Sequence, residues 1–326
     1  MTARPSRTFR IVVAAGGVSA EREVSLRSGG AVAEALAERG HKVSLVDLRK
    51  ESATPLIRRK PDCVVIALHG GFGEDGRLQA QLDAAGIAYT GSGAASSALA
   101  IDKQASREAF IAHGVAVADG VEVTAFDATA QLAGMAGRHG WPLVIKPSTE
   151  GSSIGVTIAD DPAAGAAGLT EAFRHGSRVL IERYIRGREL CVAVLDGHIL
   201  PLVGVRPQRR FFDYEAKYES GDTLYDINPD LPAAHAARVE RAGLQAFNAL
   251  GCSGLARVDV MLEESTGEAI VLEVNTCPGM TATSLAPKAA RAAGYGFGHF
   301  LELQVRVAMR DRELLRRLAS EFRAAA

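Results

Sequence analysis

Apolar runs and polar breaks alternate along the first third of the chain. Arg10–Ala15 is a continuous apolar stretch that ends at Gly16 and Gly17, the pattern of a buried strand entering a glycine turn. The following residues to about Arg39 place Ala31, Ala35 and Leu36 on one face at helical spacing. Lys42–Asp47 predicts a second strand and Asp62–Leu68 a third, which ends at His69-Gly70-Gly71. A helix over Leu78–Ala85 and a short strand at Ile87–Tyr89 follow. Strands alternating with helices predict a doubly wound parallel sheet over roughly the first 95 residues.

The pattern then changes. A helix is expected over Asp102–His113, a strand over Pro142–Lys146, and then the small polar loop PSTEGSSIG. Val156–Ile158 is a strand, residues 162–174 a helix and Val179–Glu182 a strand, giving a smaller α+β unit. Strands at Glu189–Leu195 and His198–Val203 lead to RRFFDYEAKYESGDTLYDINP, a segment too polar for core and long for a connection, hence a candidate lid. A helix over Pro232–Leu250, strands at Ala256–Leu262 and Ile270–Asn275 joined by EESTGE, and a helix from about Gly298 complete the pattern.

Composition narrows the classes. The 326 residues carry 37 basic and 38 acidic side chains, a net charge of −1, so no bulk field draws nucleic acid or anionic lipid. The four cysteines, Cys63, Cys191, Cys252 and Cys277, form no C-x-x-C pair and fit a reducing cytoplasm. Arg4, Arg7 and Arg10 ahead of IVVAAGGVSA imitate a signal peptide. The run is short for that and holds two glycines, so a first strand is the expectation.

Candidate chemistry sits at strand ends. RVDVM sets Arg257 and Asp259 two apart, and LEVN sets Glu273 and Asn275 two apart. Period-2 alternation puts each pair on one face, and a hairpin would bring the two pairs together. Oxygen ligands of this kind suit Mg²⁺ held partly by substrate phosphates. A plain edge hairpin with solvent-facing polar residues shows the same pattern. In KPSTEGSSIG, Lys146 can pair a phosphate, and Gly151, Ser152, Ser153 and Gly155 can bend and donate N–H groups. The loop matches neither the Walker A nor the Rossmann pattern, and taken alone a plain surface hairpin is its favoured reading. Lys103, Glu182 and Glu189 read alone as a solvated lysine, a strand end and surface charge. Glu21, Ser25 and His69 lie where ligands bind in open α/β sheets, beyond the carboxyl ends of strands.

Taken in order, GGVSAEREVSLRSG, IALHGGFGEDGRLQ, YTGSG, Asp102-Lys103, VIKPSTEGSSIGV, VLIERY, FFDYEAKY, RVDVM and LEVNTCPGMTATSL resemble the D-alanine–D-alanine ligases of the ATP-grasp superfamily over residues 9–305. The resemblance implies an N-terminal doubly wound α/β domain (residues 1–98) followed by a two-lobed ATP-grasp fold of mixed α/β and α+β character. Its lobes would span 99–186 and 187–326, with a lid at 206–229. It implies ATP as co-substrate, two Mg²⁺ or Mn²⁺ held by Asp259, Glu273 and Asn275, and D-alanine as substrate. Lys103, Lys146, Ser153 and Lys217 would meet the phosphates, and Glu182, Ile185 and Glu189 the adenosine. Glu21, with Ser152 and Tyr218, would take the first D-alanine beside Val24, Ser25 and His69. Arg257 and the Gly279 N–H would hold the oxyanion, and Ser284 and Leu285 the second D-alanine. The retained Tyr218 implies an amine as second substrate. A cytoplasmic homodimer is implied too. Cys277 stands where many members carry Leu or Ser; a neutral packing difference is the expectation, with sensitivity to alkylation as the alternative.

Overall fold

The computed structural model describes residues 7–19, 21–151, 153–206 and 224–324, with side chains described as far as Arg310. The first sheet is parallel, in the order β2-β1-β3-β4, formed by β1 (Arg10–Gly16), β2 (Lys42–Leu48), β3 (Cys63–Ile66) and β4 (Ala88–Tyr89). Between β1 and β2 runs α1 (Arg22–Glu38), which buries Val24, Ser25, Ser28, Gly29, Val32 and Leu36. The buried stripe includes Leu36 as expected, but Ala31 and Ala35 are only half-buried. Short α2 (Thr54–Ile57), α3 (Arg77–Ala84) and α4 (Ala94–Ile101) follow.

Next comes α5 (Lys103–Ala112), whose start is fixed by Asp102, an N-cap accepting the Ala105 N–H. A second sheet, antiparallel in the order β5-β8-β6-β7, comprises β5 (Gly120–Val123), β6 (Leu143–Pro147), β7 (Thr157–Ala159) and β8 (Val179–Arg183). Helices α6 (Ala128–His139) and α7 (Pro162–Ala172) cover it. The latter begins on Asp161 capping the Ala164 N–H, with Pro162 at its first turn.

The third sheet has the order β12-β11-β9-β13-β14, with β10 also on β9. Its strands are β9 (Gly187–Leu195), β10 (His198–Ile199), β11 (Val203–Arg206), β12 (Leu224–Ile227), β13 (Leu255–Glu263) and β14 (Ala269–Asn275). The single strand expected at His198–Val203 is thus two, split around Pro201, which lacks an N–H to donate. Of the segment expected as a lid, residues 207–223 lie outside the described residues, and 224–227 pair as β12 with β11. Helix α8 (Ala233–Ala249) packs on one face of this sheet through Val239, Ala246 and Phe247.

Two last helices, α9 (Leu285–Ala292) and α10 (Phe297–Ala324), tie the ends of the chain together. Phe300, Leu301 and Val305 of α10 share one core with Ile11, Val13, Val32 and Leu36 of the first sheet layer and with Ala193 and Leu255 of the third sheet. Buried Glu302 adds ion pairs to Arg39 and Arg306. The parallel sheet is therefore held against the third sheet by apolar burial, at about 25 cal/mol per Å². Among the described residues no helix is long and apolar enough to cross a membrane.

Candidate active site

Antiparallel pairing of β13 with β14 sets Arg257 opposite Asn275 and Asp259 opposite Glu273, so all four side chains share one face. Immediately beyond, a bulge shifts the register between Asp259 and Val260. Arg257 donates from Nε to Asp259 Oδ1 at 2.8 Å and from Nη2 to Oδ2 at 2.7 Å. Both side chains are nearly buried. Burial works against the Arg257 charge, yet the Asp259 carboxylate outweighs it and holds the guanidinium above its ordinary range.

A cleft of about 600 Å³ opens between the second and third sheets. Its polar walls carry Lys103, Lys146, Ser153, Glu182, Glu189, Asp259 and Glu273, and its apolar walls include Val144, Ile158, Ile185, Met261 and Leu272. A cleft of this volume with both polar and apolar walls suits a nucleotide. Lys146 Nζ lies 2.6 Å from Glu182 Oε2. Lys103 Nζ donates to the Glu150 carbonyl, and its backbone N–H donates to Ser148 O at 2.8 Å. Burial pulls the Lys103 ammonium below its ordinary value, while nearby Glu273 opposes that shift and Lys146 adds to it.

A second cavity, of about 50 Å³, adjoins the first. Glu21, His69 and Glu74 line it from the first sheet, Lys103 and Gly151 from the middle of the chain, and Arg257, Glu273, Asn275 and Gly279 from the third sheet. Glu273 and Lys103 border both spaces. His69, buried after β3, has Nε2 at 3.3 Å from Ser28 Oγ and Nδ1 at 3.8 Å from Glu74 Oε1. A side chain at Gly70 would collide with Glu21, its Cβ falling 2.8 Å from Oε2 at a backbone φ of +68°. Glu74 was not anticipated, although it stands in the quoted HGGFGEDG.

Other expected residues fall elsewhere. Ser25 Oγ accepts the Gly16 N–H at 2.9 Å and donates to Ala67 O at 2.7 Å, tying the ends of β1 and β3. Val24 and Leu285 are buried, the latter within the core under α9, and neither they nor Ser25 line either of the two cavities described above. Ser284 Oγ lies 3.0 Å from where a Cβ on Gly279 would stand, so it sits beside the second cavity, hydrogen-bonded to Thr281. Asn275 Oδ1 accepts the Cys277 N–H at 3.0 Å, which braces the turn toward Gly279. Ser152, Lys217 and Tyr218 lie outside the described residues.

Two carboxylates and an amide oxygen on one face are hard donors that fit a divalent cation. Among the described residues no three His, Cys, Asp or Glu side chains cluster as a metal cage. The donor set therefore fits Mg²⁺ that takes its remaining ligands from phosphates and water.

Cys277 follows the packing expectation and not the alkylation alternative. Its thiol is buried, 3.1 Å from Leu68 O, and packs with Val12, Ile66 and Leu68. Burial, with Glu74 and Glu21 nearby, raises its pKa well above the ordinary thiol range. Iodoacetamide at pH 8 is expected to leave Cys277 unmodified in folded protein and to label it on unfolding. Peptide mass spectrometry showing labelling of the native state as fast as a free thiol would contradict this placement.

Residues 110–305 match the family described as D-ala D-ala ligase C-terminus. A D-alanine–D-alanine ligase of Syntrophotalea carbinolica is 44% identical over 294 residues, covering 90% of this chain and 94% of that protein. The fold is similar to the crystal structure of a Bacillus anthracis D-alanine–D-alanine ligase complexed with ATP, at a TM-score of 0.81 and 34% identity, covering 94% of this chain and 99% of that one. It is also similar to the VanG D-Ala:D-Ser ligase of Enterococcus faecalis, at a TM-score of 0.79 and 29% identity, covering 93% of this chain and 100% of that one. Two antiparallel sheets closing on the larger cleft are the ATP-grasp arrangement. The chain belongs to the D-alanine–D-alanine ligase family.

Proposed function

We propose that this protein joins two D-alanine molecules into D-alanyl-D-alanine, a peptidoglycan precursor, while converting ATP to ADP and phosphate. The observation that carries the reading is Glu273, which borders both the nucleotide-sized cleft and the small cavity lined by Glu21, His69, Arg257 and Gly279. Phosphoryl transfer requires the reacting carboxylate and the γ-phosphate to meet at such a border.

Lys103 and Lys146 meet the phosphates, the backbone at Glu182 with Ile185 the adenine, and Glu189 the ribose. Glu21 takes the ammonium of the first D-alanine. Its carboxylate oxygen attacks the γ-phosphorus, the bond to the bridging oxygen breaks and ADP leaves. The amine of the second D-alanine, its carboxylate beside Ser284, then attacks the acyl carbon. The tetrahedral adduct carries an oxyanion that Arg257 and the Gly279 N–H stabilise. The amine proton passes to the departing phosphate as the carbon–oxygen bond to it breaks, and the peptide bond remains. Asp259, Glu273 and Asn275 would hold Mg²⁺ or Mn²⁺, which supplies charge neutralisation for the phosphates. Water must be kept from the acyl phosphate, which it hydrolyses, and the apolar walls of the cleft favour this. Four free cysteines support a reducing cytoplasm as its setting.

With D-alanine, ATP and Mg²⁺, pure protein is expected to release phosphate only when D-alanine is present, with dipeptide found by mass spectrometry. Folded protein that releases no D-alanine-dependent phosphate overturns the reading. The likeness to a D-Ala:D-Ser ligase favours one alternative, D-serine as acceptor. Competition among D-alanine, D-serine and D-lactate, read by product mass, separates these.

A further inference from the structure

The two lysines of the larger cleft arise on different elements, Lys103 at the start of α5 and Lys146 on β6, and both are buried. Buried ammonium groups need a compensating anion. Glu182 on β8 supplies one, with Oε2 at 2.6 Å from Lys146 Nζ. Serving Lys146 alone, it would cancel that charge and leave little to attract a phosphate.

The other carboxylate oxygen of Glu182 is occupied from the opposite side. Arg107, one turn beyond Lys103 on α5, places Nη1 at 2.8 Å from Glu182 Oε1. The same guanidinium donates to Ala118 O at 2.6 Å and to Gly120 O at 3.4 Å. Arg107 is 7% exposed and does not line the cleft. Space for the contact comes from Gly120, where a Cβ would fall 2.8 Å from Glu182 Cγ and 3.3 Å from Arg107 Nη2. The cluster thus sets Arg107 and Lys146 directly on the two oxygens of the Glu182 carboxylate, with Lys103 close by under the influence of Glu182 and Glu273.

We infer that Arg107 is a positioning residue for nucleotide binding: it takes up the charge of Glu182 and fixes that carboxylate, so that Lys146 keeps its positive charge for a nucleotide's phosphates. The inference rests on the proposed reading of the cleft as the ATP site. A guanidinium suits the task because its planar fork bonds one carboxylate and two carbonyls at once, which an ammonium does less well.

The test is the Kd for ATP with Mg²⁺, measured calorimetrically on the full chain without D-alanine. Arg107→Met is expected to weaken binding about tenfold or more, through the uncompensated Glu182 charge. Adding Glu182→Gln to it removes the uncompensated charge, so the double variant is expected to recover part of the lost affinity and to bind ATP more tightly than Arg107→Met. Arg107→Lys is expected to fall between. A role confined to packing predicts no such recovery. Wild-type affinity in folded Arg107→Met, or a double variant no better than the single one, overturns the inference. If Arg107→Met does not fold, Arg107→Lys is compared with wild type instead, and unchanged affinity there overturns the inference. Wild-type protein that binds no ATP overturns the underlying reading instead, so the two failures are distinct.

Discussion

Glu273→Gln is expected to reduce D-alanine-dependent ADP formation by about 10³-fold while leaving the fold intact. The substitution keeps the size and hydrogen-bonding oxygen of the side chain and removes only its charge. Three consequences converge on that charge. Glu273 stands opposite Asp259 across the β13–β14 pair, so it is half of the carboxylate pair available to a cation. It borders both cavities, the place that the proposed reaction gives to phosphoryl transfer. It also acts to raise the pKa of Lys103 against the pull of burial, so its loss lets that lysine's pKa fall further. Steady-state kinetics with circular dichroism on the same sample checks the expectation. A folded variant within tenfold of wild-type kcat would remove Glu273 from the reaction.

Much of this arrangement is legible in the sequence because it rests on local rules. Buried strands such as Ile11–Ala15 and Val64–Ile66 are uniformly apolar, and the paired polar residues of β13 and β14 are fixed by period-2 alternation and a short hairpin. Asp102 and Asp161 announce helix starts by capping three residues ahead. What the pattern hides is non-local or lacks contrast. Helix α6 contains Gly134 and Gly137 among alanines, which weakens both propensity and periodicity, and it forms because Leu132 and Met135 are buried on the second sheet. Helix α4 is Ala- and Ser-rich with little polar contrast.

The same distinction governs the site. Arg107 reads as an ordinary helical charge, and only the fold brings it to Glu182, 75 residues away. Glu74 reads as a loop acid until β3 places it near His69. Ser25 and Leu285, by contrast, carry motif identity yet face inward, one bonding Gly16 and Ala67 and the other filling the core beneath α9. Motif membership marks residues a family retains, and retention for folding looks the same in one sequence as retention for chemistry.

Arg257 is where those two kinds of retention coincide, and a double variant separates them. Arg257→Met leaves the Asp259 carboxylate nearly buried without its bidentate partner, a loss of about 3–5 kcal/mol of stability where an exposed pair would cost at most about 1. It also removes the proposed oxyanion donor, worth about 10²–10³ in kcat. Adding Asp259→Asn relieves the unpaired charge, so thermal or denaturant unfolding is expected to recover in the double variant. Turnover is expected to stay at or below that of Arg257→Met, because neither change restores a donor to the acyl oxygen and the second also weakens the oxygen set facing Glu273. Arg257→Lys keeps the charge without the planar fork and should retain more activity than Met and less than wild type. Stability and kcat recovering together in the double variant would assign Arg257 to holding Asp259 alone, and the oxyanion would then be left to the Gly279 N–H.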